Sequence, residues 1–303
     1  MNKAYAGLIA SIIAVSFASI LVLLCEAPPL TISFYRIFFT TLLVLPLVLF
    51  RKKTREELFN LSIVSFISMC IIGVILGSHF ALWITSLTKT SVASSVVLVT
   101  AHPVLVAPVS WYFLKEKLRP INALGIAFSV SGVFVLVYGN YEFISFNIDS
   151  LEGNMLALLG GVAAGLYILG GRVIRKNISI FPYAFVVYCA ATITLFILCL
   201  FFNAPLLDIS VYDLQIIFLM AIIAGIFGHT LYNWSLEYIR ASVASVFLLG
   251  EPIGSSILAF LIPSIQQQPS VFTIIGGGII LGGIYLTTKS SKKLAYSVGE
   301  PTL

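Results

Sequence analysis

The sequence contains few charged residues. Only 10% of its 303 residues are Asp, Glu, Lys or Arg, whereas 59% are hydrophobic, and the mean hydropathy is +1.07. Soluble globular chains carry about 25% charged residues. This shortage of charge excludes an ordinary soluble protein and indicates an integral membrane protein.

Motifs of several enzyme and pump classes are also missing. The patterns G-x-x-x-x-G-K-[ST], H-E-x-x-H and G-x-S-x-G do not occur, so ATP-driven transport by this chain alone is not expected. The basic residues are dispersed among loops, which argues against a nucleic-acid partner. The four cysteines lie in or beside apolar runs without C-x-x-C spacing, so we expect packing roles and no cofactor or metal: Cys25, Cys70, Cys189 and Cys199.

Long apolar runs fill almost the whole chain. A helix needs about 20 mostly apolar residues to cross a bilayer, and the runs predict an all-α integral membrane fold with ten transmembrane helices. The first run is too long to be the apolar part of a signal peptide, so we interpret it as the first span. The predicted spans are 4–24, 30–50, 61–85, 92–114, 120–138, 151–171, 180–202, 213–236, 241–262 and 270–288.

The Lys and Arg residues predict the orientation. If the N-terminus is cytoplasmic, 15 of the 17 fall on the cytoplasmic side, with most of them in 51–55, 115–119 and 172–176. Lys89 then falls outside, and Arg36 lies within the second span. We therefore predict a multi-pass protein of the cell membrane with both termini in the cytoplasm.

The two halves of the chain can be overlaid. Residues 77–103 match 227–252, so that His79 corresponds to His229 and "SVAS" occurs in both. In the same overlay "HP" at 102–103 corresponds to "EP" at 251–252. Each half holds five spans, and because five is odd the second half enters the membrane from the opposite side. This is the inverted repeat of many secondary transporters.

The overlay also predicts the domain boundaries. The first repeat covers 1–139 and the second covers 151–290, with an outer linker at 140–150 and a cytoplasmic tail at 291–303. Basic inner loops of the first half correspond to outer loops of the second half that lack basic residues, as an inverted arrangement requires.

Three stretches resemble EamA-type members of the drug/metabolite transporter superfamily. They are "APPLTISFYR" (27–36), "TSVASSVVLVTAHPVLVAPVSWYFLKEKLRP" (90–120) and "GEPIGSSILAF" (250–260). The resemblance covers nearly the whole chain. It implies a central cavity between spans 1–4 and 6–9, with spans 5 and 10 at the periphery, and it favours export of amino acids or related metabolites. One departure is that Glu116, in the turn after span 4, has only Gln266 or Gln267 to match it in the second half.

Glu251 is the strongest candidate site residue. An acid in the middle of a spanning helix costs roughly 2.5–3.5 kcal/mol on insertion scales, so such a residue usually faces a cavity. Glu251 could carry a proton or bind a substrate amine. Alternatively, it could brace the backbone that Pro252 frees, because a proline cannot donate to the carbonyl four residues earlier.

His102 and Pro103 are the counterpart in the first half. Pro103 and Pro252 are predicted to kink helices at matching places, which usually marks a binding site near the membrane midplane. His102 is predicted to donate a hydrogen bond into the cavity. The alternative is a hydrogen bond between helices.

Two helix faces add further candidates. His79 and Trp83 are four residues apart on the third span, and His229 and Asn233 are four apart on the eighth, with Tyr232 beside them. Both faces could line the cavity. For the histidines the alternative is a structural role, and for Trp83 it is the aromatic belt at the membrane surface.

Arg36 lies near the outer end of the second span. Its long side chain could reach outward to the membrane surface. Alternatively, it could meet an anionic group of the substrate or an acid such as Glu26.

The glycine-rich segments 125–132 and 276–283 permit close helix packing, with Gly278 and Gly282 in small-x-x-x-small spacing. Packing within one chain and a homodimer are both open.

These observations predict a secondary active exporter of a small organic metabolite that works by alternating access. Its expected partners are that substrate and the lipid bilayer, with proton coupling open. One alternative is an intramembrane enzyme that uses His79, His102 and Glu251 as a metal or acid–base cluster. The other is a passive channel.

Overall fold

A computed structural model describes residues 2–90, 92–116, 119–138, 148–262 and 268–297. Every regular element in these ranges is a helix. The first seven helices are α1 (Asn2–Leu23), α2 (Pro29–Leu49), α3 (Lys52–Phe59), α4 (Ile63–Ser86), α5 (Val92–Thr100), α6 (Pro103–Tyr112) and α7 (Pro120–Tyr138). The others are α8 (Ile148–Ile174), α9 (Ile180–Phe201), α10 (Val211–Met220), a π segment (Ala221–Thr230), α11 (Leu231–Ser235), α12 (Ala241–Leu248), α13 (Glu251–Leu261) and α14 (Val271–Ser297).

Nine helical segments in the described ranges are long and apolar enough to cross a membrane, if α5–α6, α10–α11 and α12–α13 each count as one. The remaining predicted span, 120–138, coincides with α7, whose described apolar part, Pro120–Val135, is shorter. Each predicted span therefore coincides with a helix or with consecutive helices.

Two spans are interrupted at their prolines. α5 ends at Thr100 and α6 begins at Pro103, whereas α12 ends at Leu248 and α13 begins with Glu251 and Pro252. A proline has no N–H to continue the helical ladder but is well suited to the first turn of a new helix. Just before each new helix begins, the backbone forms a tighter turn with a hydrogen bond between residues three apart. The N–H of Ala101 donates to the Leu98 carbonyl at 3.3 Å, and the N–H of Gly250 donates to the Phe247 carbonyl at 2.9 Å.

The eighth span contains a π segment that the apolar pattern did not predict. It runs from Ala221 to Thr230, and the Thr230 hydroxyl donates to the Gly225 carbonyl at 3.0 Å. π turns are rare and often occur at functional sites. The wider turn redirects the residues that follow it, which include the predicted site residues Tyr232 and Asn233.

Helices of the two halves pack against each other in matched pairs. α4 packs on α8 and α1 on the π segment, while α5 packs on α8 and α13 on α1. α2 packs on α9, and α7 packs on α14. Exchanging the halves converts the α4–α8 contact into the contact of α1 with the π segment. It also converts the contact of the α5–α6 span with α8 into that of the α12–α13 span with α1, and it leaves the α2–α9 and α7–α14 contacts unchanged.

Small residues allow the α7–α14 contact. A Cβ added to Gly132 would lie 2.7 Å from the Gly276 carbonyl oxygen and 2.8 Å from the Ile280 nitrogen. The Ser129 hydroxyl also donates to the Ile280 carbonyl at 3.2 Å. The close contact therefore lies within one chain. It does not use Gly278, since a Cβ there would meet nothing within 4 Å.

Three boundaries differ from the sequence-based prediction. The basic loop after α2 contains the short helix α3, which is too polar to give a spanning signal. α8 begins at Ile148, inside the predicted linker 140–150. α14 continues to Ser297, well past the predicted end at 288, so much of the predicted tail is helical. The linker residues 140–147, Gln266, Gln267 and the tail residues 298–303 lie outside the described residues.

Candidate functional site

A buried cavity lies where the two interrupted spans meet α1, α2, α4, α8 and the π segment. Its volume is about 50 Å³. One water needs roughly 10–15 Å³ of such space, so the cavity holds a few waters and must widen to admit an organic solute. The described lining residues come from both halves of the chain.

Seven of the eight predicted binding residues line this cavity. They are Arg36, His79, Trp83, His102, His229, Tyr232 and Glu251. Asn233 is the exception. It is fully buried behind the wall, where its amide donates to the His229 carbonyl at 2.6 Å and also donates to the Tyr167 hydroxyl. Asn233 therefore positions wall residues instead of facing the cavity.

Arg36 is fully buried, so it does not reach the membrane surface. Its guanidinium carbon lies 4.4 Å from the centre of the Phe80 ring and 5.8 Å from that of Trp83. No ion pair within 4 Å joins it to Glu26. Arg36 instead points into the cavity, with no hydrogen bond on Nε, Nη1 or Nη2.

Glu251 and His102 reach the cavity from the two helix interruptions. Glu251 is the first residue of α13, and His102 directly precedes α6. Both are nearly fully buried, and Nδ1 of His102 has no hydrogen-bond partner. The two helix interruptions therefore place one carboxyl group and one imidazole, from opposite halves of the chain, in the same cavity.

Stacked and tilted rings form one wall. The rings of His79 and Trp83 are parallel within 4°, with centroids 6.1 Å apart, and Phe80 meets His229 edge to face at 5.1 Å. His79 Nδ1 lies 2.9 Å from the Gly160 carbonyl oxygen, which orients the imidazole. Trp83 is only 3% exposed, so the interpretation of Trp83 as an aromatic-belt residue is wrong.

Two polar wall residues were missed by the sequence analysis. Tyr167 on α8 and Thr100 at the end of α5 both line the cavity. Tyr167 lies in an apolar run without a charged or histidine neighbour, and the hydroxyl of Thr100 donates within its own helix to Val96 at 2.7 Å. The rest of the wall is apolar and consists of Val15, Ala18, Val99, Ala164, Ile168 and Leu248.

Hydrogen bonds between the halves close one end of the bundle. The Arg172 Nε donates to Glu116 Oε1 at 3.0 Å, and its Nη1 donates to the Leu236 and Glu237 carbonyls at 2.7 and 2.8 Å. The backbone N–H of Ala241, at the start of α12, also donates to Glu116 Oε1 at 3.3 Å. Glu116 thus connects the end of α6 with α8 and α12.

Arg175 extends this network. It is 1% exposed, and its Nη2 donates to Glu237 Oε2 at 2.5 Å. Burial lowers the pKa of its guanidinium, and the neighbouring Glu237 acts in the opposite direction. Ser179 links a further loop, since its N–H donates to Glu57 at 2.7 Å. The three basic loops predicted to be cytoplasmic and the segment between α11 and α12 are therefore bonded together at one end, which we call the basic end.

Loops at the other end are also joined across the halves. Lys89 pairs with Glu152 at 2.8 Å, and the Tyr35 hydroxyl donates to the Leu206 carbonyl at 2.5 Å. The Thr31 hydroxyl donates to the Pro205 carbonyl at 2.8 Å. Both ends of the bundle are thus held together around the cavity.

A metal site is not evident in the described part of the chain, where no three His, Cys, Asp or Glu side chains are arranged to hold an ion. His79, His102 and Glu251 share the cavity without forming such a group. The described cysteines are free thiols.

The chain is similar to a family of transporters and to individual proteins named as transporters. The model of the EamA-like transporter family matches residues 3–138 and 151–289. An archaeal relative from Archaeoglobus fulgidus, named an uncharacterized transporter, is 24% identical over 281 residues, covering 90% of this chain and 92% of its own. The uncharacterized transporter YyaM of Bacillus subtilis is 25% identical over 260 residues, covering 84% of this chain and 83% of its own.

A crystal structure among the solved structures that match has the same fold. It superposes with a TM-score of 0.78 at 18% identity, covering 97% of this chain and 99% of that chain. At this identity the likeness concerns the fold alone.

Proposed function

The chain belongs to the EamA-like transporter family, and we propose that it is a secondary active exporter of amino acids or related small metabolites that works by alternating access. The observation that supports this most directly is the cavity at the two interrupted helices, lined from both halves by buried ionisable residues. In secondary transporters such interruptions mark the substrate site. Buried ionisable groups within spanning helices are costly and are usually functional.

The two-half arrangement is part of the proposal. It comprises ten spans as two inverted five-helix repeats, with α7 and α14 outside the cavity. Three features support it: the family model matches two separate segments, the helix pairs are exchanged by swapping the halves, and each half has one proline interruption. His79 and His229, which correspond in the overlay, both line the cavity.

Alternating access then requires the two ends to open in turn. At the basic end, opening would break the Glu116–Arg172 contact and release the start of α12. At the other end it would break Lys89–Glu152 and the Tyr35–Leu206 hydrogen bond. These contacts join the halves and lie outside the cavity, so a rocking motion of one half against the other can break one set while it keeps the other.

Glu251 is the proposed coupling residue. It begins α13, faces the cavity and comes from the half opposite His102. A carboxyl at this position can take up a proton or receive the amine of a substrate, and either event changes the charge of the cavity by one. We place the basic end in the cytoplasm and the protein in the cell membrane, because cytoplasmic loops are rich in Lys and Arg.

Transport can be tested with purified protein in liposomes. Liposomes loaded with a mixture of unlabelled amino acids are diluted into buffer containing one labelled amino acid at a time, and the uptake of label is measured. An exchanger or carrier accumulates its substrate transiently and saturates as the substrate concentration rises. A passive channel does neither. If no labelled amino acid enters faster than into protein-free liposomes, the amino-acid exporter is the wrong function.

A further inference from the structure

The buried guanidinium of Arg36 lacks a polar partner in the structure. Arg36 is 0% exposed, and none of its three nitrogens makes a hydrogen bond. No ion pair within 4 Å joins it to any carboxylate among the described residues. An arginine side chain has five N–H donors and is always charged. Leaving such a group without partners costs several kcal/mol.

The surroundings of Arg36 hold its position without satisfying its donors. The guanidinium lies over the faces of Phe80 and Trp83 at 4.4 and 5.8 Å. A cation over a ring is stabilised by about 2 kcal/mol when desolvated, but ring faces accept little from the in-plane N–H groups. The N–H groups of the guanidinium therefore remain available for a ligand in the cavity that Arg36 lines.

Besides His102 Nδ1, two hydrogen-bond donors in the same cavity also lack partners. Trp83 Nε1 and the Tyr232 hydroxyl are buried and make no hydrogen bond. The indole N–H is a donor only, and a tyrosine hydroxyl can donate as well. The cavity thus offers one cation and two neutral donors. This is the donor set that binds an oxyanion.

We propose that Arg36 binds a carboxylate of the transported solute, assisted by Trp83 Nε1 or the Tyr232 hydroxyl. This inference rests on the proposed transport function and defines its substrate class. A flat guanidinium matches a carboxylate with two parallel hydrogen bonds. The transported solutes are therefore monocarboxylates or zwitterionic amino acids, and solutes without an anionic group, such as simple amines, are excluded.

The charges of the cavity favour a carboxylate over a phosphate. Among its described lining residues, the fixed cation is Arg36 and the acid is Glu251. A monocarboxylate balances Arg36 when Glu251 holds a proton, and a zwitterion balances the cavity when Glu251 is ionised. A phosphate dianion leaves at least one net negative charge in either case. A monoanionic head group is thus the better match.

Matched ligand pairs test the assignment. The full-length protein in nanodiscs is heated with L-alanine, L-leucine or L-phenylalanine, and with the amide of each, and the melting midpoint is followed against ligand concentration. Removing one partner of a buried charge pair weakens binding by roughly 30-fold or more. We expect at least one of the acids to stabilise the protein and its amide to bind at least ~30-fold more weakly. Equal stabilisation by acid and amide overturns the assignment, as does no response to any of the acids. Inorganic phosphate is a further arm, and stabilisation by phosphate alone overturns the choice of a carboxylate.

The variant Arg36→Met separates binding from folding. Methionine replaces the aliphatic stem and removes the uncompensated charge, so the ligand-free variant should melt at the same or a higher temperature than the wild type and should not respond to the acids. Arg51→Met is the matched control, because Arg51 lies 5.0 Å above the ring of Phe181 on the exposed surface and outside the cavity. It should respond as the wild type does. A lower melting point for Arg36→Met, with unchanged acid affinity, would make Arg36 a structural residue.

The flux assay keeps the two ideas distinct. Saturable flux of a solute without an anionic group would contradict the role of Arg36 and leave the transport function intact. Stabilisation that is specific to the acids and depends on Arg36, without any flux, would support the role of Arg36 and contradict the transport function.

Discussion

The carboxylate of Glu116 and the guanidinium of Arg172 form an ion pair of 3.0 Å that joins the end of α6 to α8. Both side chains are largely buried, with 5% and 12% exposed. The same carboxylate oxygen accepts the N–H of Ala241 at the start of α12. Three helices from the two halves of the chain are therefore joined by one carboxylate.

We expect Glu116 and Arg172 to be strongly coupled in stability. A double-mutant cycle with Glu116→Ala and Arg172→Ala, measured by unfolding in detergent, should give an interaction energy of about 1–3 kcal/mol. The matched control is the exposed pair Lys52–Glu56, with 81% and 59% of the side chains exposed. Exposed pairs of this spacing contribute only about 0.3–0.5 kcal/mol. Equal coupling in the two pairs would show that the Glu116 contact does not hold the halves together.

Glu251→Gln should abolish proton coupling while the fold survives. The amide keeps the shape and the hydrogen-bonding reach of the carboxyl but cannot exchange a proton. Flux driven by an imposed pH gradient in liposomes should vanish, and substrate exchange without a gradient should persist. If Glu251 binds a substrate amine, the variant weakens binding itself. Unchanged gradient-driven flux would falsify the proton-carrier role.

His102→Ala should weaken substrate binding with little loss of folded protein. Nδ1 of His102 has no partner in the structure, so truncation breaks no hydrogen bond at that atom. Loss of one hydrogen bond to the substrate predicts an affinity about 10-fold lower, equivalent to roughly 1.4 kcal/mol. The measurement is ligand-dependent melting at equal protein yield. Val104→Ala, on the exposed side of α6, is the control. Equal affinity for both variants would assign His102 a structural role.

Gly132→Ala should destabilise the protein, whereas Gly278→Ala should not. The new Cβ at Gly132 would press on the α14 backbone, and overpacking of this kind costs about 1–3 kcal/mol. Gly278 has open space at its Cβ position, and alanine favours a helix over glycine by about 1 kcal/mol. Melting midpoints in detergent give the comparison. The variant Gly278→Leu tests for a dimer at that open face. A shift in its monomer-to-dimer equilibrium would place a second copy there, and an unchanged equilibrium would favour packing within one chain.

Labelling of intact cells should show opposite sides for two exposed loops. In a variant without the native cysteines, Lys53→Cys should be protected from a membrane-impermeant thiol reagent. Leu207→Cys, at a position that is 99% exposed in the opposite loop, should react. Permeabilised cells provide the control, since both positions should then react. Reaction of position 53 in intact cells would reverse the orientation.

The amino-acid sequence alone determined where the apolar spans lie and where two of them are interrupted, but it did not predict α3, the π segment, or the start of α8 and the end of α14. Length and apolarity suffice to predict a spanning helix because the hydrocarbon core sets one minimum length for every span. A proline removes one hydrogen bond from the helix through its missing N–H, although α2 and α6 continue through Pro46 and Pro108. The same local logic placed Glu251, His102, Arg36 and the two histidine faces among the candidates.

Tertiary structure decided which of these side chains share a space. The sequence left open whether Arg36 points outward or inward, and the ring of Phe80, from another helix, holds it inward. Asn233 was expected in the cavity, but its contacts with Tyr167 and the π segment keep it behind the wall. Tyr167 and Thr100 have no distinguishing local signal, and the π segment begins and ends within an apolar run. These outcomes depend on contacts between residues far apart in the chain, which a local pattern does not encode.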